Sequence, residues 1–137
     1  MRLLVDTHLL LWAAMDVLPQ KAVPYFTDEN NELVFSSASI WEVVIKNGLK
    51  RRDFRVDPIV LYRGLLDNGY LELPVTSQHV LFVTDLPLIH RDPFDRILIA
   101  QAKAENLTLL SSDKNLSRYS PVIYVQNDLH INKTRKK

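Results

Sequence analysis

Apolar positions come in short blocks whose period alternates along the chain. Residues 2–5, "RLLV", form a compact apolar run that ends at Asp6 and read as a buried strand. "HLLLWAAM" then takes up a helical spacing. Pro19 suits the first position of a further helix over "QKAVPYFTDEN", which Pro24 interrupts. "ELVFS" reads as a second strand, and "SASIWEVVIKNGLK" as a helix stopped near Gly48. "DPIVLYRGLLDNG" opens with Asp57 as cap and Pro58 at the first helical position, and closes at Gly69. "YLELPV" is a third strand, and "TSQHVLFVTDL" a helix capped by Thr76. "DPFDRILIAQAKAEN" is apolar on most faces and predicts a largely buried helix. "LTLLSS" and "PVIYV" complete the strands. Strands alternate with helices throughout, so the expected fold is a three-layer α/β/α with a mostly parallel central sheet.

Ligands of such sheets bind outside the carboxyl ends of the strands. Four segments deliver an acid there: Asp6 after the first strand, Glu42 early in the helix after the second, Asp95 at the start of the buried helix, and Asp113 after "LTLLSS". Each also has a structural reading. Ser39 and Glu42 spell a capping box, and Glu42 can pair with Lys46 at i,i+4. Asp92 caps the helix that begins at Pro93, and Asp95 at its third position suits the helix dipole. Asp113 can start a turn. Asp6 is hardest to explain structurally, because it interrupts a buried apolar stretch and a buried charge needs a partner. Capping does not require all four acids on one edge. Gathered there they would repel and raise each other's pKa, and a divalent cation removes that conflict. Oxygen ligands without cysteine or clustered histidine suit Mg²⁺ or Mn²⁺.

The 137 residues suit one domain, and 47 % hydrophobic with 24 % charged residues is an ordinary globular composition. No apolar run approaches the ~18 residues of a membrane helix. The apolar start is broken by Asp6 and His8, which argues against a signal peptide. The absence of cysteine excludes disulfides and thiolate metal sites, and favours a reducing, cytoplasmic setting. The net charge of +1 is uneven. The last six residues, "NKTRKK", carry four cations; without them 13 basic face 16 acidic side chains. A nucleic acid would therefore meet a local basic patch. Lys46, Lys50, Arg51, Arg52 and Arg55 form one, which reads equally as a solvated loop. The scattered His8, His79, His90 and His130 have no ligand spacing. Trp12, Trp41, Phe54 and Phe82 are expected in the core, or on a partner surface where exposed.

"LLVDTHLLLWA", "SSASIWEVVIK", "HRDPFDRILIAQA" and "LTLLSSDKNLSRYSPVIYV" resemble the PIN domain, and within it the VapC-like toxins of bacterial toxin–antitoxin pairs. The resemblance spans roughly residues 2–125. A single domain is expected over residues 1–131; the basic tail at 132–137 lies outside the resemblance and is expected to be disordered. The resemblance implies a Mg²⁺- or Mn²⁺-dependent endoribonuclease, with Asp6, Glu42, Asp95 and Asp113 as metal ligands and catalytic acids. Asp92 would support the site as a cap, while Ser112 and Thr7 would hold a water or phosphate. Lys46, Lys50, Arg51 and Arg52 would contact RNA. It further implies a homodimer, and an antitoxin whose peptide lies in a groove near the acids with an arginine on the carboxylates. Two alternatives stay open. A phosphatase of the haloacid-dehalogenase kind would want a second aspartate where His8 stands. A non-catalytic nucleic-acid-binding or protein-interaction module would need no metal.

Overall fold

The computed structural model describes residues 1–49, 56–88 and 91–126. Lys50, Arg51, Arg52, Phe54, Arg55, His90, His130 and the tail at 132–137 lie outside the described residues.

Five strands form one sheet: β1 (Arg2–Val5), β2 (Glu32–Ser36), β3 (Leu71–Leu73), β4 (Thr108–Ser111) and β5 (Val122–Tyr124), in the order β3-β2-β1-β4-β5. Every pairing between them is parallel. The connections carry α1 (Thr7–Ala14), α2 (Val23–Thr27), α3 (Ser37–Gly48), α4 (Pro58–Asp67), α5 (Ser77–Phe82) and α6 (Pro93–Ala104). A 3₁₀ turn, Val83–Asp85, extends α5, and another, Lys114–Arg118, joins β4 to β5. The three-layer α/β/α expectation is met.

Strand alternation builds two cores. Leu3, Val5, Phe35 and Leu110 face one side and pack with Leu9 and Leu10 of α1, Val43 of α3, and Leu61 and Leu65 of α4. Leu4, Val34 and Leu109 face the other and pack with Leu98, Ile99 and Ala102 of α6. The predicted burial of α6 is therefore correct: Leu98 through Ala102 are all buried.

Local capping chemistry sets the helix ends. The Asp57 carboxylate accepts from Ile59 N at 2.8 Å, with Pro58 in the first turn. Gly69, at φ +84°, closes α4: Tyr70 N donates to Leu65 O and Gly69 N to Leu66 O. Thr76 and His79 form a reciprocal capping box on α5, and the buried His79 also meets Glu105 at 2.7 Å.

Three expectations change. The helix after Pro19 begins only at Val23, with Pro24 in its first turn; Pro19 instead closes a tight turn by accepting from Ala22 N. Ser39 and Glu42 do not form a capping box. Strand β2 runs directly into α3, so Ser36 is the cap, accepting from Ala38 N at 3.0 Å, and Glu42 falls in the second turn. Trp41 is 58 % exposed, because α3 turns Ser39, Glu42 and Val43 inward and leaves Trp41 outside that face. Trp12 and Phe82 do pack against the two cores.

Candidate active site

The chain builds outward from β1 through β2 to β3, then returns to lay β4 on the other side of β1. The carboxyl edge between β1 and β4 is thus the topological switch point, where ligands of doubly wound sheets bind. The register pairs Val5 with Leu110. One residue further on, Asp6 faces Ser111.

Asp6 does two jobs in one position. As the N-cap of α1, its Oδ1 accepts from Leu9 N at 2.9 Å. Its Oδ2 accepts from the Ser111 hydroxyl at 2.5 Å and from Ser112 N at 3.2 Å. The carboxyl is 3 % exposed. Burial pushes its pKa above the usual carboxylate range, while the Ser111 hydroxyl, Leu9 N–H, His8 and Ser112 N–H pull it back. Ser111 Oγ in turn accepts from Asp113 N at 3.0 Å, so one buried hydroxyl joins two of the four acids.

Asp113 caps the 3₁₀ turn after β4, accepting from Asn115 N at 2.9 Å. Glu42 is 5 % exposed on α3 and meets Lys46 Nζ at 3.0 Å, the i,i+4 pairing expected from their spacing. Asp92 caps α6 through Oδ1, which accepts from Phe94 N at 2.8 Å and Asp95 N at 3.2 Å. Asp95 follows at the third helical position. Because α6 feeds the parallel strand β4, it runs against the strands, and its N-terminus returns to the carboxyl edge.

All four acids therefore lie on segments at one edge. Among the described residues, no three His, Asp or Glu side chains form a group that could hold a metal ion. The donor chemistry fits an oxygen-ligated divalent cation: carboxylates only, one of them desolvated enough to favour a cation beside it. In this arrangement Lys46 supplies the positive partner of Glu42.

Ser112 and Thr7 flank Asp6 in different ways. Ser112 reaches Asp6 through its backbone N–H, and the hydroxyl on Asp6 belongs to Ser111. Thr7 is buried, and its hydroxyl donates to Ser39 Oγ at 2.9 Å. Ser111 was not singled out from the sequence, and Ser39 only as part of a capping box. A signal existed for the first: a serine ending a buried strand must find a hydrogen-bond partner. Away from this edge, a groove of about 670 Å³ lined by Met15, Leu18, Phe26, Val60, Leu61 and Tyr70 opens at the C-terminal end of α1.

The fold and the acids at its switch point define a parallel α/β/α protein with a candidate acidic site. The PIN domain model matches residues 3–121, and the chain belongs to the PIN domain family. Its fold is similar to that of VapBC2 from Rickettsia felis bound to a promoter DNA fragment, at TM-score 0.69 and 16 % identity, covering 92 % of this chain and 98 % of that one. VapBC-1 from nontypeable Haemophilus influenzae gives TM-score 0.61 and 18 % identity with the same coverage, 92 % and 98 %. VapBC-5 of Mycobacterium tuberculosis, a member of the VapBC family of toxin–antitoxin systems, gives 0.60 and 14 %, covering 91 % and 98 %. No curated protein matches the sequence.

Proposed function

We propose that this protein is a divalent-metal-dependent endoribonuclease and the toxin of a toxin–antitoxin pair. PIN domains are generally nucleases. The observation that carries the reading is Asp6, a desolvated carboxylate held by three donors at the switch point of the sheet. Capping α1 occupies only one of its oxygens; the other is turned to the β1–β4 junction, where the sheet reverses.

Asp6, Glu42, Asp95 and Asp113 would hold Mg²⁺ or Mn²⁺. When bound, the cation supplies a Lewis acid for the phosphodiester and an activated water. Ser111 orients Asp6 and fixes the start of the Asp113 turn. Asp92 holds the first turn of α6 and so aims Asp95. The α6 N-terminus lowers the mutual repulsion of the carboxylates. Lys46, Lys50, Arg51 and Arg52 contact RNA phosphates, so affinity falls as salt rises. The catalytic unit spans residues 1–131, with 132–137 as a basic tail, and works in the cytoplasm. Among the described residues no helix is long and apolar enough to cross a membrane.

Two protein partners belong to this reading. One is an antitoxin, supported by fold neighbours that include a toxin–antitoxin complex from Klebsiella pneumoniae. Its arginine would neutralise the carboxylates, and removing that arginine should abolish inhibition. The other is a second copy of the chain, to which the exposed Trp41 and Val44 of α3 are suited. Light scattering of Trp41→Ala beside wild type tests that contact.

The test of the activity is RNA cleavage in Mg²⁺ or Mn²⁺, in EDTA, and with Asp6→Asn. Cleavage lost in EDTA and in the variant supports the mechanism; full metal-dependent cleavage by Asp6→Asn overturns it. A second reading, a non-catalytic interaction module, draws on the absence, among the described residues, of a group of acids that could hold a metal ion. Calorimetry showing no Mn²⁺ binding, with or without a non-cleavable oligonucleotide, would favour it.

A further inference from the structure

Thr7 and Ser39 form a buried hydroxyl pair between α1 and α3. Thr7 Oγ1 donates to Ser39 Oγ at 2.9 Å, and both residues are buried. Thr7 opens α1, directly after Asp6. Ser39 lies in the first turn of α3, one turn before Glu42. The pair is thus a direct strut between the segment that carries Asp6 and the helix that carries Glu42. On the other side of Asp6, Ser111 supplies the corresponding link to Asp113.

Stability does not require such a strut. A buried hydroxyl pair loses its hydration and gains one hydrogen bond. Replacing both partners with apolar groups of the same shape is close to neutral. Valine matches threonine in shape, and alanine nearly matches serine. What an apolar pair cannot supply is direction. A hydrogen bond fixes the distance and rotation of α3 against the Asp6 turn, and a site of separate carboxylates depends on that spacing.

We infer that the Thr7–Ser39 bridge is a positioning element that sets Glu42 against Asp6 for cation binding. The inference rests on the metal-site reading above. Thr7 and Ser39 touch neither the cation nor the RNA; they act through the two acids.

The experiment is Mn²⁺ calorimetry on wild type, the double variant Thr7→Val/Ser39→Ala, and the hydroxyl-keeping Thr7→Ser, each with its melting temperature. The double variant should keep its melting temperature to within about 4 °C. It should bind Mn²⁺ roughly 10–100-fold more weakly, the usual effect of losing a residue that orients metal ligands. Thr7→Ser should bind like wild type. Wild-type affinity in a folded double variant overturns the bridge's role and leaves the metal site intact. A collapse in melting temperature makes the bridge a fold contact and overturns it too. Wild type that binds no Mn²⁺, even with a non-cleavable oligonucleotide, removes the metal-site reading and the inference with it.

Discussion

Two helices that begin at the same edge, α1 and α6, solve the same local problem in different ways. Each opens with an aspartate N-cap. In α6 the work is divided: Asp92 spends one oxygen on Phe94 N and Asp95 N, and Asp95 carries the second carboxylate. In α1 a single residue does both, with one oxygen of Asp6 on Leu9 N and the other on Ser111 and Ser112. Asp92 is half-buried, whereas Asp6 is almost fully enclosed. Capping and candidate ligation are therefore not rival explanations of an acid. The surroundings of its second oxygen decide whether the residue is only a cap.

The largest expected effect separates the ligand roles from the capping role. Asp6→Asn and Asp95→Asn should each lower RNA cleavage by roughly 10²–10³-fold, the scale of losing one group that stabilises transition-state charge. Asp92→Ala should lower it far less. Equal losses for Asp92→Ala and Asp95→Asn would break the division of labour in α6.

Stability should rank the same variants in another order. Asp92→Ala removes the cap of α6 and should cost about 1 kcal/mol in denaturant unfolding. In metal-free protein, Asp6→Asn should unfold at the same temperature as wild type or higher. The amide oxygen still caps α1 and the desolvated charge is gone, which offsets the loss of the acceptor for Ser112 N–H. A clear loss of stability in Asp6→Asn would show that the ionised carboxylate holds the junction together.

The smallest effect checks burial as a cause of shifted protonation away from the acidic edge. Burial pushes Tyr70, in the apolar groove, up to about 12 from a usual 10.0. Its folded value lies above the unfolded one. Its stabilising contribution is whole below about pH 10 and is lost as pH rises toward 12. Tyr70→Phe should flatten the alkaline fall of the melting temperature in that window, and an unchanged alkaline limb would contradict it.

Much of the fold was legible before any coordinates. Caps at Asp57, Thr76 and Asp92 were readable because a cap bonds two or three residues downstream. Gly69 was readable because α4 closes on a positive φ. The apolar blocks of 2–5, 32–36 and 108–111 marked strands because a parallel sheet buried on both faces needs continuous apolar runs. The placement of Asp6, Glu42, Asp95 and Asp113 on segments at one edge followed from strand–helix alternation alone. Two features escaped for different reasons. Ser111 was not singled out, because its bond to Asp6 depends on the β1–β4 register, which joins residues 105 apart. The Ser39–Glu42 capping box failed because helix α3 starts directly on the end of β2.

By itself, then, the sequence determined what is local or periodic: the element order, the caps, the two-faced burial of the sheet and the supply of carboxylates to its edge. These depend on contacts within a few residues, or on a period that any parallel sheet imposes. Only the tertiary structure decided which hydroxyl meets Asp6, that Thr7 turns to Ser39, and that Trp41 faces outward. Those outcomes depend on strand register and helix rotation. A shift of one residue in either turns a side chain away from its partner, and no local pattern records it.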